Sequence, residues 1–345
     1  MISLNDIDEQ TEEMCIEAVR ENAFALRDVK NQTEEICLIA IDKNPCALEY
    51  VLNQTEEMCL IAVGKMGWTT IRLIGGGAAT TTCPALRYVK EQTEEICLKA
   101  VRTNSFELQY VKNQTEEMCL IAVKLNGYAL QFVENQTEEI CWEAIKKEPY
   151  AIEYIKEQTE EMCLFAINKN PWTITDVHKQ TEEMCLMVVS KKGGTLEFIC
   201  NKTEEMCLIA VKQDGMALDF VEDQTEEMCL EAVKQNGLAL QYVRNKTEEM
   251  CYVAIEQNIS ALEYVEEQTE EMCLFTVKIH WSALSLVREQ TEEMCLEAIR
   301  QDGGALMYIN DRTEELCLEA MKNGAHTRLI RDDSMRMHII SLLEK

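Results

Sequence analysis

The sequence lacks the features that identify most membrane and nucleic-acid-binding proteins. It has 345 residues, yet no stretch reaches the roughly 18 consecutive apolar residues of a membrane span. The first residues have neither the basic nor the apolar part of a signal peptide. Lys and Arg number 33 against 62 acidic residues, whereas proteins that bind phosphates need basic residues on one face. We therefore expect neither a membrane protein nor a DNA- or RNA-binding protein.

Motifs of catalysis, metal binding and phosphate binding are also missing. There is no Cys-x-x-Cys pair to present two ligands to one ion. The glycine-rich residues 75–83 have no Gly-Lys-Ser/Thr ending and no dinucleotide-binding spacing. The four histidines are scattered, and no local nucleophile, base and orienting group can be recognised. The sequence therefore predicts no catalytic residue, no metal ligand, no cofactor and no enzyme activity.

The sequence does contain one five-residue motif, Thr-Glu-Glu-Met-Cys, which occurs with small changes fourteen times. Of the thirteen intervals between its threonines, twelve are 22 residues and one, from Thr55 to Thr93, is 38. Self-similarity at a fixed period indicates a repeat protein. The threonines are Thr11, Thr33, Thr55, Thr93, Thr115, Thr137, Thr159, Thr181, Thr203, Thr225, Thr247, Thr269, Thr291 and Thr313.

The first half of each repeat has the pattern of an amphipathic helix, which we call helix A. In the repeat that begins at Thr225, one helical stripe carries Met228, Cys229, Ala232 and Val233. Thr225 suits the N-cap, and the two glutamates after it suit the positive end of the helix dipole. Gly237 is expected to end the helix in the left-handed conformation.

The second half of the repeat predicts a shorter helix, helix B, of about eight residues. Ala239, Leu240 and Val243 form its apolar stripe. In other repeats proline replaces the glycine before it, as expected where a helix opens. Both helices are too short to be stable alone, so each repeat must pack on its neighbours. The sequence predicts an all-α fold, an α-solenoid of two-helix repeats.

We predict a single solenoid domain over residues 1–345. Trp68–Ile74 resembles a helix B and Pro84–Val89 is another, so the long interval is interpreted as two short units around a degenerate helix A. The expected parts are an N-terminal half-unit cap (1–10), regular units (11–74), a degenerate unit and candidate hinge (75–92), regular units (93–324) and a C-terminal cap helix (325–345).

The repeat itself is familiar. The combination of Ala-Val-Lys-Gln-Asn-Gly with Ala-Leu-Gln-Tyr-Val, as in residues 232–243, resembles an uncharacterised helical repeat family found in large DNA viruses of amoebae and in some algae and bacteria. That family is known only as a domain of unknown function. The resemblance covers nearly the whole chain except residues 75–83 and the end after about 325. It implies an α-helical array and is compatible with a viral origin, but it supplies no catalytic residue and no partner.

Fourteen of the seventeen cysteines occupy one place in the repeat, four residues after each threonine. Stacked helices about 8–10 Å apart would hold them beyond the roughly 7 Å limit for a disulfide, which favours a reducing compartment, the cytoplasm, or the host cytoplasm if the protein is viral. Two interpretations stay open: packing of small apolar side chains in the core, or a thiolate array for soft metals. Cys46 and Cys83 lie outside this ladder near turns and are candidate reactive thiols.

The fourteen Glu-Glu pairs hold 28 of the 62 acidic residues, which leaves 34 acids against 33 bases. If every helix A points the same way, these carboxylates line one edge, with one charge per about 5 Å against one per about 1.7 Å in duplex DNA. Such an edge could bind a basic protein, bind Ca²⁺ loosely, mimic nucleic acid, or only keep the protein soluble. The acidic-edge candidates are Glu116, Glu117, Glu138, Glu139, Glu160 and Glu161.

A position near the start of helix B is usually aromatic in the first half of the chain and variable later. Aromatic residues are enriched at binding hot spots, although such rings can also pack over the adjoining turn. The position two residues after each ladder cysteine varies as well. We therefore predict a non-enzymatic scaffold that binds another protein, with metal sequestration and acidic mimicry as alternatives. The partner-binding candidates are Phe24, Trp68, Phe106, Tyr128, Tyr150 and Trp172.

Overall fold

The prediction of an α-solenoid is confirmed. The computed structural model describes residues 4, 9–65, 67–72 and 78–343, and of segments 67–72 and 78–83 it describes the backbone alone. Each repeat in this part of the chain has an α-helix, helix A, and a short 3₁₀ segment, helix B. Most of the predicted N-terminal half-unit, including residues 5–8, lies outside the described residues. None of the described helices is long and apolar enough to cross a membrane.

The α-helices are α1 Glu12–Glu21, α2 Glu34–Lys43, α3 Glu56–Val63, α4 Glu94–Thr103, α5 Glu116–Leu125, α6 Glu138–Lys147, α7 Glu160–Lys169, α8 Glu182–Lys191, α9 Glu204–Gln213, α10 Glu226–Gln235, α11 Glu248–Gln257, α12 Glu270–Ile279, α13 Glu292–Gln301, α14 Glu314–Lys322 and α15 Asp333–Leu343. The 3₁₀ segments are Ala23–Asp28, Pro45–Tyr50, Ala85–Tyr88, Ser105–Tyr110, Gly127–Phe132, Pro149–Tyr154, Pro171–Asp176, Gly193–Phe198, Gly215–Phe220, Gly237–Tyr242, Ile259–Tyr264, Trp281–Leu286, Gly303–Tyr308 and Thr327–Leu329.

Every helix A begins as the sequence predicts. In all fourteen repeats the threonine has extended backbone and its hydroxyl accepts a hydrogen bond from the amide three residues later. The Met228 amide, for example, lies 3.3 Å from Thr225 Oγ1. This bond satisfies one of the helix amides that has no partner within the helix. The two glutamates then fill the first turn, where negative charge is favoured.

The end of helix A differs from the prediction. Gly237 does not have a positive φ, and among the described residues only Gly324 does, at 88°. Instead Asn236 turns the chain with φ −148° and ψ 109°, and its side chain accepts a hydrogen bond from the Leu238 amide. A Cβ on Gly237 would lie 2.3 Å from the carbonyl oxygen of Ala254 in the next repeat. The glycine therefore permits close packing between repeats, which a single repeat could not reveal.

Helix B has six residues in 3₁₀ conformation rather than the eight predicted for a helix. Extended residues bound it on both sides, Asn236 before and Val243 after. The Val243 amide donates to the Leu240 carbonyl at 3.2 Å, which closes the last i to i+3 turn. A segment this short suits 3₁₀ hydrogen bonding.

The core consists of the same few positions in nearly every repeat; in the first repeat Met14 is exposed. From helix A it most often receives Met or Ile, the ladder Cys, Ala and a β-branched residue; from helix B it most often receives Ala and Leu. In the repeat of Thr225 these side chains are at most 4% exposed. The predicted placement of Met and Cys in the core is confirmed. Burial of apolar surface against the next repeat supplies the stability that such short helices lack alone.

The long interval was predicted wrongly. Gly67–Arg72 and Ala78–Cys83 form an antiparallel hairpin, β1 and β2, in which Gly67 pairs with Cys83. Thr93 Oγ1 lies 2.9 Å from Glu56 Oε1, the same contact that joins Thr33 to Glu12 in adjacent regular repeats. The interval is therefore one repeat with an inserted hairpin, not two short units, and Trp68–Ile74 does not supply a helix B. Threonine-rich segments favour strands, and the helical apolar pattern of one short stretch misled the prediction.

The chain divides into two compact units, Met1–His178 and Lys179–Lys345. The first contains α1–α7 and the hairpin; the second contains α8–α15. Within each unit helix A packs beside the helix A of the next repeat, and helix B beside the next helix B. The closing helix predicted after residue 333 is Asp333–Leu343. Its role as a cap, like the single-domain description, stays a prediction.

Candidate interaction surfaces

The glutamate pairs of every repeat are exposed, and within each unit they lie at one edge. The first glutamate of a pair can accept a hydrogen bond from the threonine of the next repeat, as Glu116 does from Thr137 at 3.1 Å. This contact joins the N-terminal ends of consecutive helices A, which shows that these helices run parallel. The second glutamate faces outward; Glu117 lies 3.6 Å from Arg102. The predicted acidic edge therefore exists within each unit, and part of it also holds repeats together.

All six acidic-edge candidates are exposed. Besides the contacts of Glu116 and Glu117, Glu138 accepts a hydrogen bond from the Trp142 indole at 3.4 Å. Glu139, Glu160 and Glu161 lie on the same edge at the first turn of their helices. Among the described residues, the paired glutamates that form salt bridges are Glu117, Glu227 and Glu314, so the edge keeps most of its negative charge.

The cysteine ladder is part of the core. All fourteen thiols are free and buried, and burial raises the pKa of each. For Cys119 and Cys295 the pKa rises to about 11. Within the described part of the chain, no group of three or more His, Cys, Asp or Glu side chains could hold a metal ion. The geometry therefore favours core packing over a thiolate array.

Two cysteines outside the ladder are described, and they differ. Cys46 is 2% exposed and is disulfide-bonded, so the prediction of a reactive thiol there is wrong. Its position in helix B, against the core, explains the burial. Cys200 is free and exposed. The side chain of Cys83 lies outside the described residues.

The glutamine before each threonine connects consecutive repeats and was missed by the sequence analysis. Gln114 Nε2 donates to the Phe132 carbonyl of the next repeat at 2.8 Å and to the Leu108 carbonyl at 3.3 Å. Gln114 Oε1 accepts from the Glu134 amide at 3.0 Å and lies 3.6 Å from the Cys119 thiol. One side chain thus satisfies backbone groups of two repeats. We call this set of bonds the glutamine clamp.

The glutamine clamp recurs along the chain and is also present in the repeat that contains the inserted hairpin. Gln54 Nε2 donates to the Tyr88 carbonyl at 2.8 Å although 34 residues separate them. Where the glutamine is replaced, a cation can take over its donor role: Lys202 Nζ lies 3.0 Å from the Phe220 carbonyl. The signal in the sequence was the recurrence itself, since eleven of the fourteen threonines follow a glutamine and the other three follow Lys or Arg.

Three of the six predicted aromatic candidates form ring pairs between repeats. They occupy the second residue of helix B, position B2, and pack on the sixth residue of the next helix B, position B6. Phe24–Tyr50, Phe106–Phe132 and Tyr128–Tyr154 are edge-to-face pairs with centroid distances of 6.1, 5.7 and 6.3 Å. Tyr150 and Trp172 differ, since they are 36% and 40% exposed. The side chain of Trp68 lies outside the described residues.

Helix A presents an apolar stripe to solvent. The residue after the ladder cysteine is Leu, Ile, Trp or Tyr in every repeat and is half-buried, and the residue after that is the variable one. Trp142 and Phe165 from adjacent repeats meet edge-to-face at 5.5 Å, as Tyr252 and Phe275 do at 5.3 Å. Near the start of the stripe a depression of about 640 Å³ is lined by Arg20, Leu38, Ile39, Asp42, Lys43 and Ile61. This face combines apolar area with charged margins.

One buried carboxylate departs from the repeat pattern. Glu107 is 5% exposed and occupies a helix-B position that is Ala or Thr in other repeats. Glu107 Oε2 accepts a hydrogen bond from the Leu86 amide at 3.1 Å. The helix B that contains Leu86 follows the hairpin. Its N-cap residue is Pro84, which makes no side-chain capping hydrogen bond. Glu107 therefore replaces the missing asparagine cap, while its burial raises its pKa to about 7.

Four stretches of the chain match one family model. It is described as a domain of unknown function (DUF4116), and the matched residues are 93–137, 115–159, 203–246 and 225–269. Each match covers two repeats, and in both blocks successive matches begin 22 residues apart. The predicted resemblance to an uncharacterised repeat family is confirmed for these residues. No curated protein and no solved structure gives a significant match to the chain.

Proposed function

We propose that the chain is a non-enzymatic scaffold that binds another protein along the outer face of helix A. The observation that carries this proposal is the half-exposed apolar stripe, which every described repeat keeps on the outer face of helix A. Exposed contiguous apolar surface usually marks a contact site. The variable residue beside the stripe, Lys99, Glu143 or Phe165 for example, would tune which partner fits.

Two other functions have less support. Metal sequestration has no three-ligand site in the described residues, and it would need thiols that are buried with raised pKa values. Acidic mimicry draws support from the exposed glutamates, although their linear charge density is about one third of that of duplex DNA. A basic partner on that edge would bind with a steep salt dependence.

Affinity capture from cell lysate at low and moderate salt tests the proposal. The wild-type chain is compared with a variant that carries Phe165→Glu and Phe275→Glu. Glutamate already occupies this position in Glu143 and Glu231, so the variant should fold. We expect a saturable partner that persists at moderate salt and is lost from the variant.

The matched control carries Glu139→Gln and Glu161→Gln, which remove two charges from the acidic edge. If this control loses the partner while the phenylalanine variant retains it, and if moderate salt has the same effect, the acidic edge is the binding surface. If no saturable partner is recovered at either salt concentration, the scaffold proposal is wrong.

The location is part of the same proposal: the cytoplasm, or the host cytoplasm if the protein is viral. The fourteen free ladder thiols support it. The disulfide at Cys46 counts against it.

A further inference from the structure

The depression on the outer face of helix A in the first unit has an apolar floor. Leu38, Ile39 and Ile61 line it and are half-buried, and its volume of about 640 Å³ falls within the roughly 300–1,000 Å³ of ligand pockets. Ile39 and Ile61 occupy the variable stripe position in consecutive repeats, where the preceding repeat has Glu17 and the following one Lys99. The apolar floor is therefore confined to two adjacent repeats.

Basic side chains line the margin of this floor. Arg20 and Lys43 are exposed and lie in the last turns of α1 and α2. Neither forms a salt bridge among the described residues, although both helices also carry acidic residues. Asp42, the acidic residue of the lining, is paired with Lys65 instead. The lining thus presents two bases against one acid that is already engaged.

The same stripe position in other repeats lacks this arrangement. Ile121 and Ile209 occupy it in the two units, and each is followed three residues later by a lysine. The Lys124 ammonium lies 4.0 Å from a glutamate oxygen of the next repeat, and the Lys212 ammonium lies 3.6 Å from another. An isoleucine of the stripe beside bases without a salt bridge is therefore found at the depression but not at Ile121 or Ile209.

The negative charge of the chain does not exclude an anionic ligand at this place. On α2 the acidic edge is formed by Glu34 and Glu35 in the first turn, whereas Lys43 lies in the last turn. The helical rise from residue 35 to residue 43 is about 12 Å at roughly 1.5 Å per residue, longer than the Debye length of about 8 Å at physiological ionic strength. The acidic edge is therefore largely screened at the depression.

We propose that the depression binds an acidic segment of a partner protein, in which bulky aliphatic side chains are flanked by carboxylates. The aliphatic side chains would cover Ile39 and Ile61, and the carboxylates would pair with Arg20 and Lys43. Charge complementarity selects this occupant, because a basic segment would bring further cations to two bases that have no counter-charge. The inference rests on the proposed scaffold function, since it names the chemistry of the partner at one place on the helix-A stripe.

The site is tested by nuclear magnetic resonance on the full chain with isotope-labelled isoleucine methyl groups, assigned by Ile→Val variants. The probes are the peptide acetyl-Glu-Leu-Leu-Glu amide and two counterparts, one with Gln for Glu and one with Ser for Leu. We expect the Ile39 and Ile61 signals to shift saturably with the acidic leucine peptide and far less with either counterpart. The Ile121 and Ile209 signals should stay constant.

Two double variants carry the same change of charge and make the test specific. Arg20→Gln with Lys43→Gln should weaken binding of the acidic leucine peptide about fivefold or more. Arg102→Gln with Lys124→Gln removes two exposed bases from the ends of α4 and α5 and should leave that binding unchanged.

Ile39→Glu gives the floor the glutamate that other repeats have at this position, so the variant should fold and lose the Ile61 response. An Ile61 signal that does not move, that moves equally with all three peptides, or that is affected equally by the two double variants would overturn the site. A partner still captured from lysate would then leave the scaffold function standing. A failed capture together with a saturable Ile61 response to the acidic leucine peptide would overturn the scaffold function alone.

Discussion

At the scale of single residues, one side chain without charge or catalytic chemistry makes several hydrogen bonds across the boundary between repeats. Gln114 bonds backbone groups on both sides of its repeat boundary. Its donor and acceptor lie on one rigid amide, so it can pair a carbonyl and an amide at once. Leaving such partly buried groups unpaired is costly.

Gln114→Ala should therefore destabilise the protein by about 1–3 kcal/mol. Gln114→Lys should cost less, because Lys202 shows that an ammonium reaches the same carbonyl. Chemical denaturation followed by circular dichroism measures both, with Gln131→Ala as control, since Gln131 is exposed and its amide donates only within its own helix B. Equal losses for Gln114→Ala and Gln131→Ala would contradict the clamp.

Glu107 should give the protein a specific pH dependence. Its folded pKa of about 7 lies above its ordinary value of 4.5, so the folded state holds a proton that the unfolded chain has released between these values. The stability that this proton contributes is complete below pH 4.5 and is lost as the pH rises through 7. Glu107→Gln should remove this component, so the difference between wild-type and variant denaturation midpoints should change across that window. Glu263→Gln is the control, because Glu263 is exposed. The difference between its denaturation midpoint and that of the wild type should stay constant across the same pH window.

At the scale of elements, the inserted hairpin interrupts the regular series of described helices between α1 and α14. The clamp and the threonine–glutamate contact both cross it, which means that α3 and α4 pack as neighbours without help from the strands. Insertions at the ends of regular elements cost little when the flanking contacts are kept.

Removal of residues 67–82 together with Met66→Asn should therefore restore a regular 22-residue repeat. The deletion rejoins α3 to its helix B, and the new asparagine takes the chain position of Asn236 in a regular repeat. Because Pro84 has no amide hydrogen to donate to it, Glu107 should keep its bond to the Leu86 amide. We expect unchanged helical circular dichroism and a denaturation midpoint close to that of the wild type. Loss of the cooperative transition would show that the hairpin is needed for folding of the first unit.

The elements were predictable to different degrees. Thr225 capping helix A and the apolar stripe from Met228 depend on neighbours within the same helix, so the sequence pattern contained them. The 3₁₀ form of helix B and the role of Gly237 depend on the carbonyl of Ala254 in the following repeat. The ring pair of Phe106 depends on Phe132, 26 residues further along the chain. Such contacts require the stacking distance, which no single repeat encodes.

At the scale of the whole molecule, one buried cysteine recurs in fourteen repeats, and this predicts the order in which the cysteines react with a thiol reagent. Buried cysteines with raised pKa values react slowly, because the thiolate is the nucleophile. Native labelling with iodoacetamide should modify Cys200 first and leave the ladder unmodified, since Cys200 is the exposed free cysteine among the described residues. Mass spectrometry before and after denaturation measures this, and Cys200→Ser should delay the first modification. Rapid uptake of many labels by the native protein would contradict a packed ladder.

The sequence alone determined the repeat, its period, the α-solenoid class, the capped start of each helix A and the burial of Met and Cys, because these follow from spacing along one helix. Only the tertiary structure decided that Gln114 joins repeats, that the long interval is one repeat with a hairpin, and that Phe24, Phe106 and Tyr128 pair with rings of the next repeat. The physical reason is that side chains from different repeats meet at distances set by stacking. The ring pairs between helices B are therefore a property of neighbouring repeats, not of any one of them.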